Sequence, residues 1–349
     1  MTLGTVAPTD LLMRATNVNA AYSADGTRDV PAVDGVNLEV PRGQILGLAG
    51  ESGCGKSTLG NTLAMIANAP LYVLSGTLEI GGMTIDLSTL DKGADARHRP
   101  HRGQVVSMLP QGAMNSISPT LRIRDLVCDV VRAHDRSKSR SDALDLARDR
   151  LTMLGMPVRV LDQYAHQLSG GMRQRMVTVI STLLNPQLLI ADEPTSALDV
   201  SSQKALIEML IHMVDENIMG GAIFITHDLP VLSMVTDQLA IMYAGRIVET
   251  GPTAELVDHA RHPYTSALLA AVLDPTRETR TKTVEGIPGS PPNLANPPSG
   301  CRFHPRCAFA MDICARQDPP YVVEGMHSSA CWWAKDHPHE TVPLQGVTL

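Results

Sequence analysis

The stretch Gly50–Thr58, GESGCGKST, decides the fold. It satisfies the pattern G-x-x-x-x-G-K-S/T and stands between the apolar run ILGLAG, residues 45–50, and a helical pattern, so it reads as strand, Gly-rich loop and helix. Gly50, Gly53 and Gly55 let the backbone curl until its N–H groups face phosphate oxygens, and the following helix presents its positive end. Lys56 reaches the β- and γ-phosphates, Ser57 offers its hydroxyl to Mg²⁺, and Thr58 supports the phosphate beside it. Glu51, Ser52 and Cys54 complete the nucleotide-binding loop. Such a constellation holds a polyphosphate with Mg²⁺.

A second half lies downstream, where the buried run Leu188–Ala191 delivers Asp192 to the carboxyl end of a strand, the edge at which α/β sheets bind ligands. Asp192 is the candidate to hold Mg²⁺ through water, and Glu193 to orient and deprotonate an attacking water. Strand-like and helical runs alternate on either side: LMRATNV, VNLEV, QLLIAD, GAIFIT and QLAIMYAG against SSQKALIEMLIHMVDEN. Short continuous apolar runs of this type belong to buried parallel sheets, which makes the core α/β. Between about Pro119 and Leu154 the pattern is helical throughout, a helical insertion.

The whole chain has 349 residues, enough for one large domain with an appendage, and 44% hydrophobic with 19% charged residues is ordinary for a soluble globular protein. A net charge of −7 argues against a nucleic-acid partner held by bulk electrostatics. No apolar run approaches the ~18 residues that span a bilayer, so a membrane role requires a partner. The first residues, MTLGTVAPTDLL, lack the charged and apolar segments of a signal peptide, which predicts a cytoplasmic chain.

Two further motifs carry a resemblance. LSGGMRQR, Leu168–Arg175, resembles the signature sequence of ATP-binding cassette (ABC) ATPases, and it precedes the Asp192 strand as in that family. SALD, Ser196–Asp199, looks like the D-loop, His227 in ITHDL like the switch histidine, Gln111 in VVSMLPQG like the Q-loop glutamine that joins Ser57 and Asp192 at Mg²⁺, and Tyr22 like the aromatic that stacks on adenine. The wording QGAMNSISP departs from the commoner Q-D-P. The resemblance spans about residues 11–250. It implies a P-loop ABC ATPase core over 11–255 with an antiparallel β subdomain and a helical subdomain at about 112–170. Ser169, Gly170, Gly171 and Met172 open a helix and so form a second anion site. In the family that site, with Asp199, closes on ATP bound to an opposing subunit, so a second ABC ATPase subunit, another copy or a homologous chain, is implied. His227, Glu193 and Gln111 are then the catalytic set.

Beyond the cassette, HPYTSALLAAV (262–272) and GIPGSPPNL…GCRFHPRC resemble the C-terminal region of ATPases that serve oligopeptide and dipeptide importers. The Pro/Gly-rich run reads as an extended linker. Four of the six cysteines fall here, at Cys301, Cys307, Cys314 and Cys331, spaced C-x5-C-x6-C-x16-C. Four thiolates hold either Zn²⁺ or a 4Fe-4S cluster, and the lack of tight knuckles leans to the larger group, as reported for the subfamily. A zinc site using three of them with His304 or His327 is the alternative, and metal would stabilise a segment, 256–349, too poor in apolar residues to build its own core. Cys54 and Cys128 stand apart as non-ligands, Cys54 being a candidate for thiol inhibition.

The resulting expectation is an ATP-hydrolysing subunit at the cytoplasmic face of the membrane, driving two transmembrane permease subunits that an extracellular substrate-binding protein feeds with di- or oligopeptides. Nickel or oligosaccharide cargo, or a soluble non-transport ABC ATPase, are the alternatives. Proteins of that last kind usually carry two cassettes or a long coiled-coil insertion, and this sequence has neither.

Overall fold

The computed structural model describes residues 11–23, 29–90, 95–271 and 286–343. The opening residues read above for a signal peptide lie largely outside them, as does residue 272. Among the described residues the centre is an eight-stranded sheet that runs from β11 (Tyr321–Glu324) through β12 (His327–Ala330), β10 (Arg246–Pro252), β9 (Gln238–Tyr243), β3 (Ile45–Ala49), β8 (Gly221–Ile225) and β7 (Leu188–Asp192) to β6 (Val106–Leu109). Strands β3, β6, β7, β8 and β9 run parallel. Both faces are covered, so successive side chains enter different cores. Leu188 and Ile190 join the core beneath the antiparallel sheet, while Leu189 and Ala191 face the helices, and Ile223 and Ile225 alternate with Ala222 and Phe224 in the same way.

The antiparallel sheet has the order β2-β1-β4-β5, built from β1 (Leu11–Tyr22), β2 (Val30–Pro41), β4 (Leu71–Ile80) and β5 (Met83–Asp86). It packs over the main sheet around α1 (Lys56–Leu63), whose Leu59 and Leu63 are fully buried. A short helix, α2 (Asp95–His98), leads to β6. The insertion is helical as expected. In α3 (Ile123–His134) the buried Ile123, Val127, Cys128 and Val131 form one stripe, and α4 (Arg140–Met153) starts at a capping box of Ser139 and Asp142. Then α5 (Gly170–Ser181), α6 (Val200–Asp215) and α7 (Leu229–Val235) cover the other face of the sheet.

The C-terminal region packs against the cassette. Strand β10 (Arg246–Pro252) is followed by α8 (Thr253–Asp258) and α9 (Pro263–Ala270). After the Pro/Gly-rich run come β11 (Tyr321–Glu324), β12 (His327–Ala330) and α10 (Trp332–Asp336). Because β12 pairs antiparallel with β10, one sheet crosses the boundary drawn at residues 255/256. Phe303 is 1% exposed and joins the main core, its ring 5.2 Å from Tyr243 and 5.3 Å from Tyr264. The segment borrows the core of the cassette, which explains how so few apolar residues suffice.

The buried carboxylate of Glu249 ties these pieces together, accepting from the backbone N–H of Arg261 (2.6 Å) and His262 (3.1 Å) and meeting His327 Nε2 at 2.8 Å. Next to it, His262 caps α9 by accepting from Tyr264 N–H at 3.0 Å. Burial pushes this imidazole down to about 4, against the opposing pull of Glu249. A depressed base gives stability that is present above its unfolded value of 6.5 and lost as pH falls towards 4. The full loss is on the order of 3 kcal/mol. His262→Asn keeps a cap acceptor without titrating there. It is expected to flatten the stability slope between those pH values in denaturant unfolding, and an unchanged slope refutes the assignment.

Candidate active site

The P-loop leaves β3 in conformations that only glycine tolerates. Gly50 has φ +150° and a Cβ there would lie 2.2 Å from the Met242 carbonyl; at Gly55, φ +111°, it would lie 2.1 Å from that of Ala32. The loop therefore lies directly on β9 and β2. Lys56 is buried and its Nζ donates to the carbonyls of Gly50 (2.6 Å) and Glu51 (3.0 Å). Tyr22, at the end of β1, places its hydroxyl 3.0 Å from Thr58 Oγ1.

A cleft of about 520 Å³ opens at this edge, lined by Tyr22, Ser52, Gly53, Gly55, Lys56, Ser57, Thr58, Gln111, Glu193 and His227. Each parallel strand that feeds it ends at the same edge: β3 gives the loop, β6 Gln111, β7 Asp192 and Glu193, and β8 His227. Gly50, Glu51 and Cys54 belong to the loop but do not line the cleft. Asp192 is 2% exposed, and burial pushes its carboxyl up while the Ser57 hydroxyl pulls it down. Its Oδ1 has no hydrogen-bond partner. A buried, unpartnered carboxylate oxygen beside a hydroxyl fits a divalent cation, which would offset the desolvation of the charge. Glu193 adopts φ +48° and accepts from Thr226 Oγ1 (3.1 Å) and His227 N–H (3.2 Å), and its Oε1 lies 2.7 Å from His227 Nδ1. A carboxylate so held can take a proton from water next to a phosphate.

A sequence profile of the ABC transporter family matches residues 33–196, and one for the oligopeptide/dipeptide transporter C-terminal region matches 248–314. The chain is 35% identical over 324 residues to a dipeptide transport ATP-binding protein, DppD, of Caldanaerobacter subterraneus subsp. tengcongensis, covering 92% of this chain and 96% of that one. The chain belongs to the ABC transporter family. It is likewise 38% identical to the oligopeptide transport ATP-binding protein OppD of Bacillus subtilis, over 91% and 88% of the two chains. A solved dimeric ATP-binding cassette in a post-hydrolysis state bound to ADP and Pi shares the fold, with a TM-score of 0.58 at 23% identity over 69% of this chain and 99% of that one. This ABC protein is accordingly a transport-coupled ATPase.

The LSGGMRQR segment, Leu168–Arg175, stands outside the cleft. Ser169 caps α5, accepting from Met172 N–H at 3.3 Å, and both Ser169 and Gly170 are exposed. Gly171 packs on the start of α6, where a Cβ would lie 2.4 Å from Ser202 Oγ. Asp199 caps α6 through Ser202 N–H (2.9 Å), and the hydroxyls of Ser201 and Ser202 hold its carboxyl far below the usual range.

In the C-terminal region Met311 N–H donates to Cys314 Sγ at 3.5 Å. Nearby backbone N–H groups pull the thiols of Cys301, Cys307 and Cys331 down, against a larger effect of burial. Burial raises the Cys301 thiol to about 11 and those of Cys307 and Cys331 to about 12, with neighbouring thiols adding to the rise. Among the described residues, no group of three or more His, Cys, Asp or Glu is arranged to hold a metal ion. The zinc alternative fares worst at His327, whose Nε2 and Nδ1 already face Glu249 (2.8 Å) and Glu255 (3.4 Å). His304 Nδ1 is bonded to the Cys301 carbonyl at 2.9 Å.

Sequence reasoning missed three contributors from this region: Leu294, which lines the cleft, and Tyr264 and Arg306, which grip the P-loop through Glu51. Their only signal was membership of conspicuous stretches: Tyr264 of HPY, Arg306 of C-x5-C and Leu294 of the Pro/Gly-rich run. The reading of Cys54 as a target of thiol inhibition is corrected, because the side chain is 6% exposed and burial raises its thiol. Cys54 is expected to resist a soluble thiol reagent in the folded protein and to react after unfolding, as mass spectrometry of labelled peptides would show. Rapid native labelling would contradict this.

Proposed function

We propose that this ABC ATPase powers uptake of di- or oligopeptides through two separate permease subunits, bound peripherally at the cytoplasmic face of the membrane. No helix among the described residues is long and apolar enough to cross a membrane, which supports a pathway supplied by partners. The names of the relatives and the match of the C-terminal region support a peptide cargo.

The observation that carries the chemistry is the convergence of Lys56, Ser57, Gln111, Asp192, Glu193 and His227, with one Asp192 oxygen unpartnered. Tyr22 stacks on adenine, P-loop amides and Lys56 hold the phosphates, and Ser57, Gln111 and Asp192 hold Mg²⁺. Glu193 takes a proton from the attacking water while His227, bonded to it, faces the γ-phosphate. The exposed N-terminus of α5 with Ser169, Gly170 and Gly171 supports its use by a second ATPase subunit, and so does Val200, 82% exposed beside Asp199. For the permeases, a groove of about 530 Å³ between β6 and the end of α3, lined by Arg99, Gln104, Met108 and Ala133, supports docking beside the helical subdomain.

For the cysteines we propose a 4Fe-4S cluster held by Cys301, Cys307, Cys314 and Cys331. The gathering of four of the six cysteines within residues 301–331 supports thiolate ligation by a cluster, and His327's contacts with Glu249 and Glu255 weigh against zinc. Its iron–thiolate bonds would cross-link the turn at 304–306, the loop before Cys314 and the start of α10.

Glu193→Gln is expected to retain ATP binding while turnover in the assembled transporter falls about 10²-fold or more. Unchanged turnover sinks the base assignment. Anaerobically purified protein is expected to carry about four irons with visible absorbance, and stoichiometric zinc without iron would reject the cluster.

A further inference from the structure

Glu51 occupies the second position of the P-loop, yet its carboxylate is turned into the C-terminal region. Arg306 grips it with both terminal nitrogens, at 2.7 Å and 3.0 Å. Arg306 is itself fixed, its side chain 6% exposed and its Nε donating to the Pro288 carbonyl at 2.7 Å. Tyr264, fully buried, accepts from the Glu51 N–H at 2.8 Å. The Glu51 carbonyl then meets Lys56 Nζ at 3.0 Å. Three polar groups of one loop residue are thus engaged, two by the C-terminal region and one by the phosphate-binding lysine.

We propose that Arg306, assisted by Tyr264, is a positioning residue for ATP binding: it neutralises Glu51, keeps its carboxylate out of the phosphate cleft, and fixes the loop carbonyls from which Lys56 works. A bidentate guanidinium–carboxylate pair on a buried stem has the geometric rigidity for this role. Without Arg306, a full negative charge sits on a mobile side chain in the loop that receives a polyphosphate. The loss therefore falls on nucleotide affinity rather than on the hydrolysis step, which uses Glu193 and His227.

The inference rests on the nucleotide site proposed above, and calorimetry of the purified full chain with Mg²⁺ and ATP separates the two. Arg306→Ala is expected to weaken ATP binding about tenfold, the scale of one charge-assisted pair, while the assembled transporter keeps kcat near the parent value at saturating ATP. Glu51→Gln removes the charge that Arg306 neutralises, so adding it to Arg306→Ala restores affinity in part. A merely structural role predicts further loss instead. Arg306→Lys keeps the charge without the fork and falls between, and it serves where the alanine variant does not fold. An affinity within about twofold of the parent for Arg306→Ala, or a double variant no better than the single one, overturns the proposal. Lys56→Ala is the control: ATP binding that survives it overturns the site and the clamp together, whereas binding lost there and retained in Arg306→Ala overturns the clamp alone.

Discussion

The structure depends on backbone contacts that suspend the P-loop between two sheets. Gly50 lies against the Met242 carbonyl of β9 and Gly55 against the Ala32 carbonyl of β2, at separations no Cβ permits. The Cys54 carbonyl accepts from Gly245 N–H at 2.8 Å, and the Gly245 carbonyl accepts from Asp34 N–H at 2.9 Å. The loop, the turn between β9 and β10, and β2 are therefore one hydrogen-bonded unit. Whatever moves one of the three moves the others, because a packed interior transmits displacement rather than absorbing it.

The C-terminal region is bound to that same unit. Arg302 donates to the Ala244 carbonyl and to the Asp34 carboxylate, which also meets Arg246 at 2.9 Å, and Arg246 reaches Asp318 at 2.8 Å. These guanidinium and carboxylate groups lie where β2, β10 and the C-terminal region join. Exposed pairs of this kind are each worth little, but Arg302 is largely buried, and removing one partner would leave a charge without compensation. The region is accordingly a third support of the nucleotide loop.

What was legible in the sequence follows from the range of each interaction. The strands that become β3, β7, β8 and β9 announce themselves because burial on both faces demands unbroken apolar runs. The loop and the Asp192–Glu193 pair are legible because their chemistry lies within a few consecutive residues. By contrast β12 reads His-Ser-Ser-Ala, four buried residues with scarcely an apolar side chain, and it is a strand because β11 pairs with all four across the turn at Gly325 and Met326, and Glu249 and Thr250 of β10 pair on its other side. The pairing with β10 spans 78 residues between Thr250 and Ser328, beyond any local pattern. The burial of Cys54 is equally invisible in a motif, and the Glu51–Arg306 contact spans 255 residues, so no spacing rule reaches it.

The turn His304–Arg306 connects these observations. Cys301 and Cys307 bracket it, Phe303 at its start is packed between Tyr243 and Tyr264, and Arg306 at its end holds the P-loop. A turn of three residues has few ways to move once both ends are fixed. The same backbone that carries Cys301 and Cys307 therefore aims Arg306 at Glu51, so the cysteine segment meets the P-loop through packed rings and one ion pair rather than standing apart from it.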